Sequence, residues 1–161
     1  MAYTCASCGK DHDELSPYMM WRLPDPALER EHELVFDDDF TCRIGDEQYF
    51  ISCELEVPFK ADDLKPLGFI CWARVDRETY DRYRGYREHE DTLAEYAELV
   101  PGTLANPIPC VPGSSGTAVG LKVLAGDPTP YIRWVAPGSA VAHLLARGAT
   151  VGYWHEAMGA G

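Results

Sequence analysis

The sequence predicts an α+β fold, an antiparallel sheet with helices packed on one side and a Cys-x-x-Cys knuckle at the N-terminus. Three observations carry this. Gln48–Val57 alternates apolar and polar residues over ten positions, with Tyr49, Ile51, Cys53, Leu55 and Val57 on one face, the period of a strand. Asp76 precedes a stretch in which Tyr80, Tyr83 and Tyr86 recur every third residue, the spacing of a helix face. Cys5 and Cys8 sit ahead of both, in a segment with no apolar period. A chain of 161 residues is long enough to bury one core. We therefore expect a single domain over 1–161, with a Cys/His corner in 1–24 and a long loop at 101–116.

Taken in order, residues 3–12 read as a short extended piece with a tight turn, in which Gly9 frees the backbone after the second cysteine. Residues 13–24 read as irregular. Asp25-Pro26 opens a short helix, because proline suits a first helical turn. Strands begin at Leu34, and Phe40, Cys42 and Ile44 alternate up to the turn Gly45-Asp46-Glu47. That turn predicts a hairpin between the Cys42 strand and Gln48–Val57. Gly68–Val75 is a more continuous apolar run, expected as a central strand. Asp76 caps a helix reaching about His89, supported by Glu78 four residues before Arg82. A second, shorter helix is expected over Thr92–Leu99, then the Pro-, Gly- and Ser-rich loop. Strands at Thr117–Leu124 and Tyr131–Val135 and a helix from Ser139 to Arg147, stopped by Gly148, complete the chain.

The formal net charge is −12, and of the 26 acidic residues only Asp127 and Glu156 lie beyond residue 112. A surface of this sign repels phosphate backbones and anionic lipid, so neither nucleic acid nor membrane is an expected partner, while a basic protein would be attracted. No apolar stretch approaches a membrane span, and the first ten residues lack the apolar core of a signal peptide. The expected location is cytoplasmic, where the six cysteines serve as thiols or metal ligands rather than disulfides.

Among those cysteines, Cys5-x-x-Cys8 has the spacing with which two thiolates grip one tetrahedral Zn²⁺ from a single turn. A complete zinc ribbon needs a second such pair, and the sequence has none, so the motif is half a signature. Cys53 shares the apolar strand face and Cys71 lies inside an apolar run, which makes both core residues. Cys110 stands between prolines, far along the chain. Cys42, close to its turn, is the best third ligand and His12 the best fourth. The expected metal set is Cys5, Cys8, His12 and Cys42, with zinc as the metal.

The remaining motifs have plainer readings. Glu54 and Glu56 lie on one strand face about 7 Å apart by strand geometry, suited to acid–base work but equally to a solvated face. Asp37-Asp38-Asp39 lacks the spacing and glycine of a calcium loop and reads as a solvated turn. Arg74, Arg77, Arg82, Arg84 and Arg87 interleave with the tyrosines, as in a nucleic-acid surface, but Asp76, Glu78 and Asp81 offset them. The tyrosine stripe is therefore expected to pack on the sheet. Pro112–Gly116 lacks the Gly-Lys-Ser/Thr ending of a phosphate loop. His155-Glu156 could form an acid–base pair, close to the chain end.

The landmarks Cys5-x-x-Cys8-Gly9-x-x-His12, Cys42, Tyr49-Phe50-Ile51, Leu55-Glu56-Val57-Pro58, Gly68 and Trp72 together resemble the bacterial family catalogued as domain of unknown function 2199. The likeness covers residues 3–86. Where that family carries an acidic residue two positions before the third cysteine, this chain has Phe40. The resemblance implies no activity, but it ties Cys5, Cys8, His12 and Cys42 into one pattern. The leading reading is a non-catalytic binding or regulatory domain with a structural zinc corner. The alternatives are a small metal-dependent hydrolase using His12 and nearby carboxylates at an open metal site, and an acidic protein that neutralises a basic partner, as a toxin inhibitor would.

Overall fold

The computed structural model describes residues 3–4, 11–12, 18–60, 65–88 and 98–158. Its centre is a pair of long antiparallel strands, β6 (Gln48–Val57) and β7 (Leu67–Val75), joined in register from Tyr49↔Val75 to Val57↔Leu67. Both match the sequence expectation, because alternation over ten residues leaves a single register that buries one face.

The sheet is not the simple antiparallel layer the sequence predicts. β6 and β7 are long enough for each outer edge to hold two neighbours. Along β6, β5 (Thr41–Ile44) pairs antiparallel with the first half, while β10 (Tyr131–Val135) pairs parallel at Glu54. Along β7, β3 (Tyr18–Met20) pairs parallel at Gly68–Ile70, and β8 (Val100–Leu104) pairs antiparallel at Ala73 and Arg74. β9 (Ala118–Lys122) joins β8 to β10, so β6, β7, β8, β9 and β10 close into a five-stranded barrel. β3 and the hairpin of β4 (Leu34–Asp38) with β5 continue outward from it.

Closure requires the sheet to bend, and a bulge supplies the bend. The β9–β10 register slips between Ile132 and Trp134, opposite Gly120. A Cβ at Gly120 would stand 2.9 Å from Leu99 Cδ1 and 3.2 Å from Trp134 Cβ. Only glycine admits that approach without displacing one of them.

The barrel interior holds the inward residues of β6 and β7 with Leu104, Val119, Leu121 and Ile132. The helices pack against this one cluster. The first, α1 (Arg77–Glu88), is capped by Asp76, whose carboxylate accepts from Thr79 N at 2.7 Å. It lays Tyr80 and Tyr83 on the core, with the Tyr49 and Tyr80 rings 5.1 Å apart. α2 (Ala140–Arg147) and α3 (Val151–Ala157) add Val141, Leu144 and Trp154. Gly148 ends α2 at φ 76° as the sequence predicts, while Ser139, expected as its first residue, is its cap.

A second, smaller cluster lies outside the barrel: Ala27, Cys42, Ile44, Phe50, Trp72 and Ala105, with Trp21, Leu23 and Leu34 packed against it. It covers the outward face of β6 at Phe50, so that strand is buried on both faces along its first half.

Several expectations change. Residues 13–24 include a strand, β3. Val100–Leu104 is β8 rather than the start of the loop. Pro101 hides that strand in the sequence, but it stands just past the last β7–β8 pair, Arg74↔Thr103, where no N–H is needed. Asp25–Ala27 forms the expected helix as a single 3₁₀ turn. α3, capped by Thr150, was not foreseen; Gly152 weakens its local signal. The helix expected at Thr92–Leu99 falls mostly outside the described residues, and Glu98 and Leu99 are not helical.

Candidate functional site

The N-terminal corner is framed by two short strands. β1 (Tyr3–Thr4) pairs antiparallel with β2 (Asp11–His12), Tyr3 opposite His12 and Thr4 opposite Asp11. Thr4 and Asp11 immediately precede and follow residues 5–10, which carry both cysteines of the motif in the sequence. Cys5 and Cys8 lie outside the described residues, and only the backbone of His12 is described.

Cys42 is described fully. It is completely buried in the outer cluster, on a strand whose ladder sets it beside Phe36 and Phe50. Burial, and then the negative charge of Asp37, push its thiol up to about 12, so the protonated form is favoured. Its described surroundings are those of a small packed hydrophobe. Among the described residues no group of three His, Cys, Asp or Glu side chains is arranged to hold a metal ion.

The other cysteines fall as the strand pattern indicates. Cys53 and Cys71 oppose each other across β6 and β7 inside the barrel, fully buried, with sulfurs 3.9 Å apart. The thiol of Cys53 is pushed up by its contact with Cys71 and by burial. Cys110 is exposed and adopts φ 59°, in a loop that Tyr153 holds by donating its hydroxyl to Pro109 O at 2.9 Å. Burial and then Glu156 raise the Cys110 thiol as well. An activated nucleophile needs the opposite shift.

The carboxylates are engaged in structure. Asp37 is no solvated turn residue. One of its oxygens accepts from Tyr80 Oη at 2.6 Å and Arg43 Nε at 3.1 Å, and the other lies 3.6 Å from an Arg84 nitrogen. This ties α1 to the β4–β5 hairpin. Asp38 closes that hairpin by accepting from Phe40 N and the Thr41 hydroxyl. On the outer face of β6, Glu56 lies 3.5 Å from Arg133, whose guanidinium stands 4.8 Å over the Tyr131 ring. Loss of water, then Glu56 and Asp127, raise the Glu54 carboxyl above its ordinary value, against the pull of Arg133.

The arginine–tyrosine stretch divides. Its tyrosines face the core as expected, while Arg84 pairs with Asp37 and Arg77 lies 3.7 Å from Asp81. The Pro112–Gly116 loop is braced from within. Ser114 is fully buried, and its hydroxyl accepts from Ile108 N at 2.7 Å. It is therefore not free to cradle a phosphate. His155 and Glu156 are neighbours on α3, where the His155 ring lies 6.5 Å from that of Trp154.

Asn106 was not singled out in the sequence. It is completely buried and makes three bonds at 2.9 Å: its Oδ1 accepts from Trp72 N, and its Nδ2 donates to Leu23 O and Asp25 Oδ1. One side chain thus joins β7, the loop after β8 and the 3₁₀ turn after β3. Nothing in the sequence separates it from any other polar loop residue.

Fold and corner together define an α+β domain built on a five-stranded barrel, with two short paired strands flanking an N-terminal Cys-x-x-Cys. The chain belongs to the DUF2199 family, described as uncharacterized protein conserved in bacteria, which matches residues 4–152. No curated protein and no solved structure matches it. No described helix is long and apolar enough to cross a membrane.

Proposed function

We propose that this domain is a non-catalytic binding or regulatory module stabilised by a structural zinc corner, with Cys5 and Cys8 as the thiolate pair and His12 and Cys42 completing the set. The observation that carries the reading is the antiparallel pairing of Tyr3–Thr4 with Asp11–His12. It pairs Thr4 with Asp11, the residues on either side of positions 5–10, and sets His12 opposite Tyr3, two residues before Cys5. A tetrahedral knuckle asks for that proximity. Cys42 enters on its place near the hairpin turn and on the family pattern, and its described environment is an apolar cluster.

The non-catalytic part rests on how the reactive side chains are used. Cys53 and Cys71 pack, Asp37 is bonded by an arginine and a tyrosine, Ser114 braces a loop, and the Cys110 thiol is raised rather than lowered. Zinc content and ligand number test the proposal. Four protein ligands, seen by X-ray absorption, support the structural role, and three with a water contradict it. Cys42→Ser then separates ligation from packing: a lost equivalent of zinc makes Cys42 a ligand, and full zinc with a lowered melting temperature makes it a core residue.

A further inference from the structure

The sheet ends at β4, and among the described residues no strand pairs with its outer side. Glu33 O accepts from Gly45 N, so this pair is a bonded rung of the β4–β5 ladder. Bonded rungs alternate in an antiparallel pair, which makes Val35↔Arg43 the next one. Leu34 and Phe36 therefore turn their backbone groups away from the sheet. Leu34 N donates to Glu31 O, which leaves Leu34 O and both backbone groups of Phe36 open along the edge among the described residues. Two apolar side chains flank these groups, Phe36 46% exposed and Val35 40% exposed, on opposite faces of the strand. Phe36 is held in place, its ring edge-on to Trp72 at 6.0 Å.

An open edge is normally guarded by lysine, proline or a bulge. β4 has neither lysine nor proline, and its bulge falls beyond Phe36, before Asp38. What it has is acid. Positions 29–39 hold six acidic side chains and one arginine, and Arg30 is already paired with Glu33 and Glu47. Glu31 and Asp39, beyond the two ends of β4, are exposed. A second copy lying antiparallel along this edge would set its own Glu31 and Glu33 against Asp38 and Asp39, like charges in register. A basic strand would meet opposite charge at both ends.

We propose that the outer edge of β4 docks an extended, basic segment of another protein, added to the sheet as one more strand. Leu34 O and the N–H and C=O of Phe36 supply the main-chain bonds. Val35 and Phe36 contact alternate apolar side chains of the segment, and lysine or arginine at its ends faces Glu31 and Asp39. This names the class of partner for the binding reading above and rests on that reading. It does not depend on the zinc corner.

The test titrates the intact protein into labelled peptides Lys-Lys-Thr-X-Thr-X-Thr-Lys-Lys, with X as Val, Leu or Phe, followed by fluorescence polarisation at about 150 mM salt. We expect saturable binding of at least one peptide at about 100 μM or tighter, weakened about tenfold or more when glutamate replaces its lysines or proline its threonines. Glu31→Lys combined with Asp39→Lys should weaken it as well. Amide exchange should slow at Phe36 in the complex and stay unchanged at Arg43, which is already bonded within the hairpin. No saturation by any of the three peptides up to about 1 mM, equal binding of the glutamate or proline versions, affinity unchanged in the charge-reversed variant, or unchanged exchange at Phe36 would overturn the proposal. So would a dimer that protects Phe36 without peptide, since the edge would then belong to a second copy. Zinc measured on the same preparation reads the corner separately: full zinc without peptide binding defeats the edge site alone.

Discussion

The two apolar clusters of this domain are held by different means. The inner cluster lies within a closed ring of strands, where β6 and β7 match register over nine consecutive pairs and apolar side chains fill the space between. The outer cluster around Cys42 and Trp72 has β5 and the end of the β4 hairpin on one side only. Its other side is a strap, residues 21–27, fastened by single side-chain bonds to Asn106 and by backbone bonds from Trp21 N to Ile70 O and Asp25 N to Ala105 O. The barrel loses little when one contact goes, because its ladder is redundant. The strap depends on individual groups, and an unmade buried bond costs more than a made one yields.

The sharpest way to break this contrast is Asn106→Ala. It leaves Trp72 N and Leu23 O without their bonds in a buried site, and we expect a loss of about 3–4 kcal/mol, as two or more buried groups go unsatisfied. Hydrogen exchange should speed up at Trp72 and through the strap while the amides of Cys53 and Cys71 stay protected. Equal loss of protection at both places would make the two clusters one cooperative unit.

Cys53→Ser probes the barrel. A hydroxyl inside an apolar cluster should cost about 1–3 kcal/mol if it finds no partner, with zinc content unchanged. Loss of metal at unchanged stability would instead make Cys53 a ligand.

Asp37→Asn tests the tie between α1 and the outer hairpin. The amide keeps one acceptor but loses its attraction for Arg43 and Arg84, and we expect a drop of about 1–2 kcal/mol in denaturant unfolding, the lower part of the range for partly buried charge-assisted bonds.

The smallest effect concerns pH. The Glu54 carboxyl is raised in the folded protein above its ordinary value of 4.5, chiefly by lost hydration. The unfolded chain therefore releases this proton first, and stability falls as pH rises from that ordinary value through the folded one. Glu54→Gln should melt with wild type near pH 3.5 and slightly above it at pH 7. A variant less stable than wild type at pH 7 would show that the carboxylate helps the fold through Arg133.

What could be read in the sequence follows the same division. β6, β7, β10, the Asp76 cap of α1 and the Gly148 stop of α2 depend on neighbouring residues, so period and capping chemistry reveal them. Closure depends on parallel pairing between β10 and β6, residues more than seventy positions apart, with a bulge opposite Gly120; no local pattern encodes that. Pro101 masked β8 because its missing N–H matters only once the neighbouring ladder is known. Of the candidate site, the strand runs assigned Cys53 and Cys71 to the core, and the helix spacing assigned the tyrosines to the face that packs on the sheet. Neither could see that Asp37 turns inward to Tyr80, because an acidic triplet looks the same bonded or solvated. Asn106 stayed hidden because its partners, Trp72 on one side and Leu23 and Asp25 on the other, lie in two distant parts of the chain.

The zinc corner is the central claim, and metal analysis of protein purified without chelator tests it most directly. The account predicts about one equivalent of zinc per chain, lost on Cys5→Ser and Cys8→Ser and retained in Cys53→Ser. Less than about a tenth of an equivalent, in protein never exposed to a chelator, would contradict it.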